Sequence, residues 1–138
     1  MSKANFWRDH KLNEVSQGRA AEHFVAYVLE SNGLKTSFAL QSGFDLIAIS
    51  GESTFKVQVK STSMPQTDRQ NRAGFRIGKH DHLSDVFAFV YLPRQTVIFE
   101  KTSEIKHLQK WNRPLTLFTE ENMMSTLMEC FNGAHGSG

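Results

Sequence analysis

The sequence holds one cysteine, Cys130, among 138 residues, so an internal disulfide framework is excluded and a reducing compartment is expected. Zinc chemistry is equally short of ligands, because one thiol and the pair His80-x-His82 do not make a four-ligand set. No apolar run is long enough to span a bilayer, and the opening residues Met1 to His10 have no apolar core of a secretory signal. The expectation is an intracellular protein with no membrane partner. A Gly-rich phosphate loop between strand and helix is missing, as is a serine elbow, which argues against nucleotide hydrolysis and acyl transfer. A strong charge bias is also absent. A net charge of +2 and a pI near 8.8 permit a nucleic-acid partner without demanding one.

What is present is the composition of a globular chain, 39% hydrophobic and 22% charged, of a length that suits one domain and crowds two. We expect a single domain over residues 1–132 and a flexible tail over 133–138. The pattern is organised around residues 43–62. Two apolar stretches, Phe44 to Ser50 and Thr54 to Ser61, flank Gly51-Glu52, which suits a two-residue type II′ turn. Pairing Ser50 with Ser53 sets Ile49 opposite Thr54, Ala48 opposite Phe55, Ile47 opposite Lys56, Leu46 opposite Val57 and Asp45 opposite Gln58. Opposed residues share a face, and the period of two brings Lys60 to the face of Gln58. A carboxylate, an amide and an ammonium therefore meet at the open end of one hairpin, while Phe44, Leu46, Ala48, Phe55, Val57 and Val59 form the core face. A salt bridge between Asp45 and Lys60, with Gln58 in water, is the plain alternative at this point.

Ahead of the hairpin, a helical pattern runs from about Glu14 to Asn32 and closes at Gly33. Ala21, Phe24, Val25, Val28 and Leu29 make its apolar stripe, and Glu22 falls on the stripe's margin, facing either a cleft or solvent. Gly18, costly inside a helix, suggests a close approach to the first turn. Lys35 to Leu40 reads as a strand. After the hairpin, residues 62–84 read as a long loop in which Arg69, Arg72, Arg76 and Lys79 outnumber the acids, with Phe75-Arg76-Ile77 a short strand inside it. Asp85 to Leu92 and Thr96 to Lys101 follow as strands. A helix from Ser103 to about Trp111 is expected next, then a last helix opening at Thr119 with Met123, Met124, Leu127, Met128 and Phe131 on its apolar side. Cys130 falls on that helix as a packing residue. Asp85 is expected to cap or pair. The whole reads as an α/β chain with a central mixed sheet flanked by helices.

The order of Glu22 on a helix, Asp45 opening a hairpin and Gln58-Val59-Lys60 on its return resembles the PD-(D/E)xK nuclease superfamily in a Gln-x-Lys variant. The likeness runs from Gly18 to about Leu92. It is similar to Holliday-junction-resolvase-like members in its Gly-x-x-x-Glu start and to intron-encoded homing endonucleases in its Gln-x-Lys. Phe44 stands where the motif has Pro, and Gln58 where it has an acid. The resemblance implies a restriction-endonuclease-like core and a Mg²⁺-dependent, or Mn²⁺-dependent, DNA endonuclease of homing, junction-resolving, repair or restriction type. Asp45, the Gln58 amide and the Val59 carbonyl would hold the metal, with Glu22 reaching in from the helix and Lys60 acting on the water or the phosphate. Arg69, Arg72, Arg76, Lys79, Ser61 and Thr62 would contact DNA, and one small site per chain implies a homodimer or homotetramer. Because Gln58 removes a charge from the metal site, a nuclease-fold module that binds nucleic acid without cutting stands as the alternative, beside a purely structural protein.

Overall fold

A computed structural model of the chain describes residues 14–41, 44–63 and 71–131. The first helix, α1 (Glu14–Ser31), ends in a Schellman closure. Gly33 takes φ +91°, its N–H reaches Glu30 O at 3.1 Å, and the Leu34 N–H reaches Leu29 O at 3.1 Å. Leu29 and Leu34 are both buried there. Ala21, Val25, Val28 and Leu29 form the buried stripe, with Phe24 packed against it, as the periodicity predicts. The expected crowding at Gly18 is not found: a side chain there would meet nothing within 4 Å among the described residues.

β1 (Lys35–Gln41), β2 (Phe44–Ser50) and β3 (Ser53–Thr62) form an antiparallel meander. The hairpin register is the expected one from Ser50–Ser53 to Leu46–Val57. Gly51 has φ +62°, and Glu52 is not in the positive region, as a turn of type II′ requires. β5 (Val86–Tyr91) lies parallel to β3, with Gln58 opposite Phe87 and Lys60 opposite Phe89, and β6 (Thr96–Lys101) runs antiparallel to β5. The sheet order is therefore β1-β2-β3-β5-β6, a mixed sheet.

Each face of this sheet has its own cover. On one, α1 and α3 (Glu120–Phe131) pack Ala21, Val25, Leu29, Leu127 and Phe131 against Leu46, Ala48, Val57 and Phe99. Thr119 caps α3, its Oγ1 accepting the Asn122 N–H at 3.1 Å. Of the expected methionine stripe only Met123 packs inward; Met124 and Met128 are exposed, because the helix turns Leu127, Cys130 and Phe131 to the sheet instead.

The other face is covered by an antiparallel ribbon of β4 (Arg72–Arg76) and β7 (Lys110–Pro114). This corrects two expectations. The strand in the basic segment begins earlier than Phe75, and the helix expected through Trp111 stops as the single turn α2 (Thr102–Ile105). The physical reason is aromatic packing. As a strand residue, Trp111 stacks on Phe89 with ring centroids 4.0 Å apart and also meets Phe75, and its indole N–H donates to Glu100 at 2.9 Å. Burial of that ring outweighs the weak helical spacing of Ile105, Leu108 and Trp111.

Candidate active site

The site sits where β2 and β3 part. Their paired register stops at Leu46–Val57, and one step beyond it the Asp45 carboxylate accepts the Val59 N–H at 2.8 Å. The side chain thus replaces a backbone acceptor at the open end of the hairpin. A strand residue presents its N–H and C=O toward the same neighbour, so the Val59 carbonyl also looks to the Asp45 side. Gln58, at 9% exposure, and Lys60 share the opposite face from Val57, and lie beside the aromatic floor of Phe87 and Phe89.

Lys60 does not pair with Asp45. Its Nζ lies 2.7 Å from Oδ2 of Asp81, which the sequence shows only as one acid in a basic segment. Asp81 belongs to a 3-10 turn (Lys79–Leu83) and is 8% exposed. Its Oδ2 also accepts the Gly78 N–H at 2.6 Å, and its carbonyl accepts the Ser84 hydroxyl at 2.7 Å. Gly78 is fitted to this contact, since a Cβ there would stand 3.3 Å from Oδ2. The only local signal for Asp81 was its position three residues after Gly78, the spacing at which a carboxylate can cap the turn it sits in.

Electrostatics tie the four groups into one place. Burial raises the Asp45 carboxyl above its usual range and the Asp81 charge adds to this, while the Val59 N–H and the Lys60 ammonium pull it down. Burial also raises Glu22, and the Asp45 charge adds to that effect, so the helix carboxylate stands close enough to feel the hairpin one. Glu22 is half-buried on α1, at the margin where the helical wheel puts it.

The remaining candidates scatter more. Thr62 shares the face of Lys60, whereas Ser61 points to the other side. Arg76 is exposed. Arg72 is half-buried, its Nε donating to Asn112 Oδ1 at 2.8 Å, so part of its guanidinium is spent on the ribbon itself. Arg69 and the Lys79 side chain lie outside the described residues. Asp85 caps backbone as expected: its Oδ2 accepts the Lys56 N–H at 2.8 Å, and its own N–H donates to Lys56 O at 2.7 Å.

Whether these residues fit a divalent ion is a question of donors. Mg²⁺ takes hard oxygens, which the Asp45 carboxylate, Gln58 amide and Val59 carbonyl supply, and the two partly desolvated carboxyls Asp45 and Glu22, the second raised further by the charge of the first, offer negative charge that a cation would neutralise. Among the described residues no group of three or more His, Cys, Asp or Glu side chains could hold a metal by itself. The set fits only with the neutral oxygens of Gln58 and Val59 included.

No protein-family model and no curated protein sequence matches this chain. Among solved structures, the chain superposes on the bacterial homing endonuclease I-Ssp6803I with a TM-score of 0.71 at 11% identity, over 91% of this chain and 99% of that one. The α/β architecture, a five-stranded mixed sheet between helices and a ribbon, is thus a fold shared with a homing endonuclease.

Proposed function

We propose that the chain is a Mg²⁺-dependent DNA endonuclease of the PD-(D/E)xK type, hydrolysing phosphodiester bonds at the open end of the β2–β3 hairpin. The observation that carries the reading is the Asp45 carboxylate closing on the Val59 N–H where β2 and β3 part, between Gln58 and Lys60 in the chain of β3 and with its charge felt at Glu22 on α1, in a fold shared with a homing endonuclease. Asp45, the Gln58 amide oxygen and the Val59 carbonyl would hold the ion, and Glu22 would return the charge that Gln58 in place of an acid removes. A bound Mg²⁺, or Mn²⁺, would offset phosphate charge and acidify a water. Lys60, held by Asp81, orients that water or meets the negative charge that builds on phosphorus. The water oxygen would bond to phosphorus and give up a proton to solvent, the bond to the leaving sugar oxygen would break with its electron pair staying on that oxygen, and the oxygen would take up a proton from solvent. Arg69, Arg72, Lys79 and Thr62 would follow the DNA backbone. Cutting both strands with one site per chain calls for a homodimer or homotetramer, and a DNA substrate for an intracellular setting.

The test is cleavage of plasmid, single-stranded and branched DNA with Mg²⁺ or Mn²⁺, beside a Lys60→Ala variant. Metal-dependent cleavage that the variant lacks is expected. No cleavage by wild type, or equal cleavage by both, removes the enzymatic reading. Salt-sensitive binding without cutting would instead favour the binding module that Gln58 suggests.

A further inference from the structure

The β4–β7 ribbon turns one face into the core and the other outward. Its register pairs Arg72 with Pro114, Gly74 with Asn112 and Arg76 with Lys110, so these six residues share the outer face. The intervening rungs send Ala73, Phe75 and Trp111 inward, each 4% exposed or less. Outside, Arg76 and Lys110 are exposed, and Arg72 is laid across the ribbon by its bonds to Asn112 at 2.8 and 3.3 Å. Neither strand contains an acidic residue. Gly74 puts no side chain between the two arginines, so the middle of the face stays low. Beside it, Gly74, Arg76, Gly78, Gln109 and Lys110 line a cleft of ≈ 780 Å³.

These features select a partner. The major groove of B-DNA, about 12 Å wide, admits a two-stranded ribbon, and Arg or Lys there reads guanine O6 and N7. A face with cations at both ends, a low centre and no acid is complementary to that groove in charge and in shape. Its placement also suits the site. The chain leads from Arg76 through Ile77 and Gly78 to Asp81, the residue gripping Lys60. Five peptide units span at most about 18 Å, which is about five base pairs at 3.4 Å each.

We infer that the outer face of the β4–β7 ribbon lies in the major groove of duplex DNA and reads base pairs within one helical turn of the scissile phosphate, with Arg76 and Lys110 as the guanine-reading side chains. The inference rests on the reading of the chain as a DNA-acting protein, but not on its cutting DNA.

The test is selection from a duplex library with a randomised core, at low salt with Ca²⁺ in place of Mg²⁺, by wild type, Arg76→Gln and Lys110→Gln. Thermal melting checks that each variant is folded. Wild type should enrich a shared motif, and each variant should lose about 5- to 150-fold discrimination at one or two base pairs, at guanines, while keeping binding to the rest. A motif within one turn of any mapped cut would agree further. Three results overturn the inference: no enriched motif with wild type, variants that retain the wild-type motif, or a uniform loss of affinity with a shallower salt dependence, which marks phosphate contacts alone. An enriched motif that depends on Arg76 and Lys110 without any cleavage in Mg²⁺ leaves the ribbon inference standing and removes only the enzymatic reading. Cleavage without sequence preference does the reverse.

Discussion

Replacing Asp81 tests how Lys60 is held. The pair is 2.7 Å apart with side-chain exposures of 25% and 11%, so it is neither a surface contact nor fully dry. Asp81→Ala removes a charge-assisted bond of about 1.5–3 kcal/mol and strips the Gly78 N–H of its acceptor, for about 1 kcal/mol more. Because Lys60 keeps a quarter of its side chain in water, it can relax outward, which holds the total to about 3 kcal/mol, the lower end of the range for breaking a buried pair. For a chain of this length that corresponds to a fall in Tm of roughly 10 °C. Asp81→Asn keeps an acceptor for Gly78 and should cost less than half as much. The assay is urea unfolding of wild type, Asp81→Asn, Lys60→Met and the double variant. A coupling energy of about 1.5 kcal/mol or more is expected. Coupling below about 0.5 kcal/mol would mean a solvated ion pair and would refute the positioning role. In cleavage, Asp81→Asn should lower kcat about 10²-fold with little change in KM, as misplacing a catalytic group does.

Other predictions concern the same framework. The raised Asp45 carboxyl binds its proton more tightly in the folded state than in the unfolded chain, so its contribution to stability is full below the usual value of 3.8 and is lost as pH rises through the folded value. Asp45→Asn, which can still accept the Val59 N–H, should therefore raise the Tm of metal-free protein at neutral pH and flatten its gain on acidification; an unchanged profile would contradict the assignment. Cys130 is buried and its thiol is pushed up to about 12, so iodoacetamide at pH 8 should label native protein far more slowly than protein in urea. Trp111→Ala should cost about 3–5 kcal/mol by emptying the stack on Phe89, measured by urea denaturation; a loss under about 1 kcal/mol would mean that the ribbon is not anchored by this ring.

Local chemistry was readable from the chain wherever it decides the structure locally. Gly51-Glu52 fixes the turn, and the turn fixes the register as far as Leu46–Val57; one step beyond, Asp45 meets the Val59 N–H rather than completing a pair with Gln58, and Lys60 goes to Asp81. Gly33 likewise ends α1 by its left-handed backbone. The failures share a different cause. β7 pairs with β4 across some forty residues, Gly74 with Asn112, and nothing near Trp111 announces a partner so far away. Asp81 meets Lys60 because β3 and β5 run parallel and the segment joining them folds back over the sheet, a nonlocal arrangement that spacing alone does not reveal. Gly18 misled in the opposite sense, as a glycine whose surroundings are open among the described residues.

The central claim is that the parting of β2 and β3 is a hydrolytic centre, and it is tested most directly by nicking of supercoiled plasmid in Mg²⁺ by wild type and by Asp45→Asn at matched folded concentration. The account predicts metal-dependent nicking by wild type and a loss of at least about 10²-fold in the variant. Equal nicking by the two proteins would contradict it.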